Sequence, residues 1–93
     1  MKYFNWNEKK NQLLKKNRNI SFEEIVLSID NGQLLDVVEH HDKSKYPNQR
    51  LIIVEVRNYA FVVPFVETED TYFLKTIYPS RKATQTYINK EKQ

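Results

Sequence analysis

The chain has one glycine, Gly32, and it stands where the hydrophobic pattern changes period. Before it, Phe22, Ile25, Val26 and Ile29 recur at i, i+3, i+4 and i+7, which predicts a helix with one face in a core. After it, residues 34–39, 51–57, 59–66 and 72–78 are four runs rich in β-branched and aromatic residues, the composition of strands. Two helices followed by strands predict an α+β domain.

Local signals place the boundaries. Residues 2–6 read as a short edge strand anchored by Tyr3, Phe4 and Trp6. Asn7 suits the N-cap of a helix running from Glu8 to about Lys16, with Leu13 and Leu14 facing inward. The Asn17-Arg18-Asn19 stretch breaks that pattern. Ser21-Phe22-Glu23-Glu24 reads as a capping box, with Ile20 and Ile25 placed as a hydrophobic staple. Asn31-Gly32 supplies the residues that tolerate a left-handed helix end. Little more than Asn58 separates the second and third strand runs, so a tight hairpin is expected. The acidic stretch 67–71 turns the third run into the fourth, and these short connections predict an antiparallel meander. Pro64 predicts a bulge or an unpaired side within the third run. Pro79 stops the last strand, and Ser80 caps a short helix from Arg81 to about Asn89 that docks through Ala83, Tyr87 and Ile88.

Ninety-three residues suit one domain, 1–93, and are too few for two cores. The chain has no cysteine, which removes disulfides, thiolate zinc sites and cysteine nucleophiles and fits a reducing cytoplasm. No apolar stretch approaches the roughly 20 residues of a membrane span, and the opening residues do not read as a signal peptide, so no membrane association is expected. One glycine leaves no phosphate-binding Gly-rich loop, and neither H-E-x-x-H nor G-x-S-x-G occurs. The net charge of +3 is unevenly spread. Residues 1–18 carry six bases and one acid, residues 19–74 four bases and ten acids, and residues 75–93 five bases and one acid. Two basic ends around an acidic middle suggest an anionic partner, although solvated helix faces are also commonly lysine-rich.

Four groups of residues could carry chemistry or binding. At Ser80-Arg81-Lys82 a helix N-terminus and two cationic side chains form a possible phosphate seat; the plain alternative is a cap with two bases on a surface turn. His40-His41-Asp42 ends the first long strand, beside Lys43, Lys45 and Tyr46. A histidine there could transfer protons near neutral pH, but strand alternation allows only one of the two into any given site. No third metal ligand stands at suitable spacing, so no metal or other cofactor is expected. Arg50 and Arg57 bracket the second strand run, Arg57 sharing a face with Leu51, Ile53 and Glu55, and Arg50 one with Ile52, Val54 and Val56. Either arginine could bind phosphate or simply form an ion pair. Tyr46, Tyr72 and Tyr78 could stack on bases, though such residues in strands are more often core.

The segments 4–11, 20–24 and 80–84 carry a resemblance. Phe4-x-Trp-Asn, Ile20-Ser-Phe-Glu-Glu24 and Ser80-Arg-Lys-Ala-Thr84 are similar, in order and spacing, to the "F-x-W-D-x-x-K-N", "G-I-S-F-E-E-A" and "I-S-A-R-K-A-T" of BrnT-type toxins, a branch of the RelE/ParE-like superfamily. Where that family has Lys-His-Gly before Ile-Ser-Phe, this chain has Asn17-Arg18-Asn19. The resemblance implies a (β)ααββββα fold, with an antiparallel sheet packed on two N-terminal helices and a short C-terminal helix. It implies the toxin half of a bacterial type II toxin–antitoxin pair, a cytoplasmic metal-independent endoribonuclease that inhibits translation, with RNA, free or on the ribosome, as substrate. Its implied partner is an adjacently encoded ribbon-helix-helix antitoxin, through which alone it would meet operator DNA. Arg81, Lys82 and Arg50 fall on family positions. The site expected is therefore His40, His41, Arg50 and Arg81 for catalysis, with Lys43, Lys45, Arg57, Lys75, Tyr78, Ser80 and Lys82 holding RNA. An inactive scaffold that only binds its partner or nucleic acid, or a gyrase inhibitor, are the alternatives.

Overall fold

Asn7 and Ser21 start the two N-terminal helices with the side-chain caps their chemistry predicts. A computed structural model describes residues 2–89. Both ends of the expected 1–93 domain, including Lys90 and Lys92, lie outside the described residues. Strand β1 (Tyr3–Trp6) leads into α1 (Glu8–Arg18) and α2 (Phe22–Asp30). Strands β2 (Leu34–Glu39), β3 (Gln49–Val56), β4 (Tyr59–Glu67), β5 (Thr71–Leu74) and β6 (Tyr78–Pro79) follow. One α-helical turn, α3 (Arg81–Ala83), then continues as a π-helical segment (Thr84–Ile88).

Asn7 Oδ1 accepts from Lys10 N, and Ser21 Oγ accepts from Glu24 N, satisfying donors that the first helical turn leaves without partners. The staple residues Ile20 and Ile25 are both buried in the same cluster. The capping box closes on one side only, because the Glu24 carboxylate turns away to Arg57. Helix α1 runs past the expected end to Arg18 and stops at Asn19, which takes the left-handed conformation at φ 55°. Leu14 is buried, but Leu13, expected to face inward, is 50% exposed. The second inward residue of α1 is instead Asn11, fully buried. Its amide donates to Glu23 Oε1 at 2.7 Å and accepts from Phe22 N at 2.9 Å, joining α1 to the start of α2.

The sheet is ordered β1-β5-β4-β3-β2, and β6 also pairs with β4. Strands β2 to β5 form the expected antiparallel meander. The sheet as a whole is mixed, which corrects the antiparallel expectation: β1 lies parallel to β5, from Tyr3↔Thr71 to Trp6↔Leu74. Phe4 and Trp6 anchor β1 in the core, whereas Tyr3, an odd number of residues from each, is 69% exposed on the other side. The β3–β4 hairpin turns on Arg57 and Asn58, both at positive φ (53° and 65°), the geometry of a two-residue hairpin turn matched to strand twist.

The expected fourth strand divides in two. Lys75 N donates to the carbonyl of Pro64, so that carbonyl faces the β5–β6 side of β4. In a strand the N–H and C=O of one residue point the same way, so the donor that proline lacks would also have faced that side. The ladder breaks there, with β5 pairing Phe65 to Glu67 and β6 pairing Phe61 and Val62.

Side chains of directly opposed strand residues share a face, and the register assigns two faces. Ile52, Val54, Val56, Val63, Phe65 and Leu74 face α1 and α2 and form the larger core with Leu14, Ile20, Phe22, Ile25 and Ile77. Leu51, Ile53, Ala60 and Val62 face the other way and pack under Ala83, Tyr87 and Ile88 of the C-terminal segment. Thr84, buried, fastens that segment: its hydroxyl accepts from Ala60 N and donates to the Ser80 carbonyl. Among the described residues, no helix is long and apolar enough to cross a membrane.

Candidate functional site

The second face is only partly covered by the C-terminal segment, and a concavity of about 440 Å³ opens beside it. Its floor is apolar, from Leu51, Ile53 and Val62, and its rim carries Glu39, His41, Tyr78, Ser80 and Lys82. Strand β6 aligns Tyr78 with Val62, which turns the phenol onto this face. Burial pushes the Tyr78 phenol above its ordinary value of 10.0, so it keeps its proton at neutral pH. Ser80 Oγ accepts from Ala83 N at 3.1 Å, so the hydroxyl serves as helix cap. Lys82 and Arg81 follow on the exposed side of the same turn, and neither makes an ion pair among the described residues.

The two histidines lie just past the end of β2, so strand alternation does not separate them; their rings stack with centroids 4.6 Å apart. They differ in burial. His40 is 7% exposed, packs at a tilt against the Tyr46 ring with centroids 4.6 Å apart, and its Nδ1 accepts from Asp42 N at 3.0 Å. An Nδ1 that accepts a backbone hydrogen bond cannot take up a proton without breaking that bond. His40 therefore holds the loop, and His41 is the exposed imidazole of the pair on the rim of the concavity. Asp42 Oδ1 accepts from Ser44 Oγ and Lys45 N, shaping the turn that carries exposed Lys43 and Lys45. The Lys45 ammonium lies 5.5 Å from the Tyr46 ring centroid.

The arginines of the β3 region do not join this site. Arg50 shares a face with Ile52 and Val54 as expected, which puts it on the helix-covered side of the sheet. There it pairs with Glu67 and lies over the Phe65 ring at 5.2 Å. Lys2 pairs with the same carboxylate, and these cations, Lys2 foremost, hold Glu67 below its ordinary value. Arg57 is not on the Leu51–Ile53–Glu55 face. It sits in the hairpin turn, where the backbone leaves the pleat, and grips Glu24 through two hydrogen bonds of 2.9 and 2.7 Å and the Asn19 carbonyl at 2.8 Å. The Glu24 contact raises the Arg57 pKa further. Tyr72 also belongs to the helix-covered side, against Phe4 and Phe65. Of the stacking candidates, only Tyr78 lines the concavity.

Lys75 does not line the concavity; it stands opposite Pro64 on the same sheet face, its ammonium 5.4 Å from the centroid of the Phe73 ring. The sequence reading missed Asn11, Thr84 and Asp36. Asp36 Oδ2 accepts from Tyr87 OH at 2.6 Å and so ties the roof of the concavity to β2. The signals were weak: a polar residue three positions before an inward-facing one on a helix, Asn11 before Leu14 and Thr84 before Tyr87, and an acid within an apolar strand. Among the described residues, no three His, Cys, Asp or Glu side chains come together as a metal site. Comparisons with protein-family models, with curated proteins and with solved structures each returned no match.

Proposed function

We propose that this chain is a RelE-like toxin, an endoribonuclease that cleaves RNA without a metal and is held in check by an antitoxin partner in the cytoplasm. The observation that carries the reading is the gathering of His41, Tyr78, Ser80 and Lys82 around one concavity on an open sheet face. The (β)αα-then-strands order and the resemblance at 4–11, 20–24 and 80–84 support it. In the reaction the ribose 2′-oxygen attacks the adjacent phosphorus and the bond to the 5′-oxygen breaks. The products are a 2′,3′-cyclic phosphate and a 5′-hydroxyl. His41 takes the 2′-hydroxyl proton, Lys82 and Arg81 neutralise the charge building on the phosphoryl oxygens, and the leaving oxygen is protonated from water. Tyr78 offers a ring to a neighbouring base and a phenol that stays protonated.

A second reading, a scaffold that binds without cutting, is favoured by one observation: Arg50 and His40 are both committed elsewhere. One experiment separates the two. Purified chain incubated with single-stranded RNA should release fragments ending in 2′,3′-cyclic phosphate, and its expression should arrest bacterial growth. Intact RNA together with harmless accumulation would rule out the enzyme.

A further inference from the structure

The face that bears the concavity does not end at its rim. Antiparallel register aligns Phe73 with Val66 and Tyr78 with Val62, and Val62 and Val66 lie on one side of the same uninterrupted strand. Phe73 and Tyr78 are therefore on one face, their partners four residues apart along β4, about 13 Å at the usual rise. Lys75, one pleat beyond Phe73, stands between them opposite Pro64. The β1 register adds Asn5 beside Phe73 and the 69% exposed Tyr3 beside Thr71. None of these is acidic. Glu39 of β2 lines the concavity itself, whereas Glu67, which follows Val66 on β4, is placed by its register on the opposite face, where it pairs with Lys2 and Arg50.

A partly exposed aromatic ring on a sheet surface, with the exposed lysines Lys75 and Lys82 on the same side, offers what a single-stranded nucleic acid uses: a π-face for a base and cations for phosphates. We infer that single-stranded RNA extends from the concavity along β4, with a base stacked on Phe73 and its phosphate held by Lys75. The inference rests on reading the concavity as an RNA site and adds the length and strandedness of what binds there. The Lys75 ammonium over the Phe73 ring is a weak contact at an exposed site, so an incoming base displaces it and frees the lysine for phosphate. Glu69 and Asp70, exposed on the β4–β5 turn, repel phosphate and bound the track at that end.

The test uses the full chain and a short fluorescent RNA with 2′-O-methyl riboses, which have no nucleophile and so separate binding from cleavage. Anisotropy should show tighter binding to the single strand than to a duplex of the same sequence. Phe73→Ala should weaken binding roughly five- to a hundred-fold. Because that variant trims a half-buried ring, Phe73→Trp provides a second measure: it should retain affinity, and its added emission should be quenched when RNA binds. Lys75→Gln should weaken binding and flatten its salt dependence. Unchanged affinity in Phe73→Ala, unquenched Phe73→Trp or absence of RNA binding by the wild type would each overturn the track. Binding through Phe73 by a chain that leaves unmodified RNA intact would uphold the track and discard the ribonuclease.

Discussion

The hydroxyl of Tyr87 donates a 2.6 Å hydrogen bond to Asp36 Oδ2, joining the C-terminal helical segment to the edge strand β2 across the concavity. The contact raises the Tyr87 pKa, first through that hydrogen bond and then through burial and the Asp36 charge. A raised folded pKa contributes stability in full below the unfolded value of about 10 and loses it as pH climbs past that value. Tyr78, raised by burial, acts in the same direction. Tyr87→Phe should therefore cost about 1 kcal/mol near neutrality. It should also lessen the fall in stability above pH 10, measured by urea unfolding across that range.

Asn11 should be among the costliest polar positions to change. It is fully buried and serves two partners at the α1–α2 junction, the Phe22 N–H and the Glu23 carboxylate. Asn11→Ala strands the N–H in a dry site and should lose about 2–3 kcal/mol. Leu13→Ala, at an exposed position of the same helix, should change stability by less than about 0.5 kcal/mol. Denaturant midpoints of the two variants check the contrast.

Acid should destabilise the fold through named carboxylates. Glu23 is held below its ordinary value of 4.5 chiefly by the hydrogen bond from Asn11, and Glu67 chiefly by Lys2. A depressed folded pKa contributes stability above the unfolded value and loses it as pH falls through the folded one. Unfolding followed from pH 6 downward should show stability falling below about pH 4.5, and Glu67→Gln should show a smaller drop.

Function should divide by sheet face. Lys82→Ala and His41→Ala should each lower RNA cleavage by roughly 10²-fold or more. Arg50→Ala, on the opposite face and paired with Glu67, should leave cleavage unchanged. Rates on one labelled substrate decide this, and an Arg50→Ala loss as large as that of Lys82→Ala would contradict the assignment of the site to the Lys82 face.

Much of the fold was legible because its signals are local. The Ser21 cap, the Ile20–Ile25 staple, the glycine at the helix end and the interruption at Pro64 each depend on residues within a few positions, whose backbone chemistry acts whatever surrounds it. The parallel pairing of β1 with β5 was not legible, because each partner lies 68 positions from the other and a four-residue strand carries no signal of direction. The buried Asn11 was hidden for a related reason: a polar residue faces inward only where another segment brings it partners, here Phe22 N and Glu23.

The site divides along the same line. Sequence alone determined which residues could bind phosphate or move a proton, since guanidinium, ammonium and imidazole chemistry belongs to the side chain. Tertiary structure alone decided which of them meet. Arg50 keeps its predicted strand face, but that face is the one opposite the concavity and there it pairs with Glu67, and Arg57 leaves the strand because the hairpin turns on it. His40 and His41 are chemically identical neighbours, yet the hydrogen bond from Asp42 N and the Tyr46 ring commit one to the loop and leave the other on the rim. The intrinsic charge and reference pKa of a side chain follow from covalent structure, whereas proximity, and the pKa shifts it causes, are set by register and packing across the whole chain.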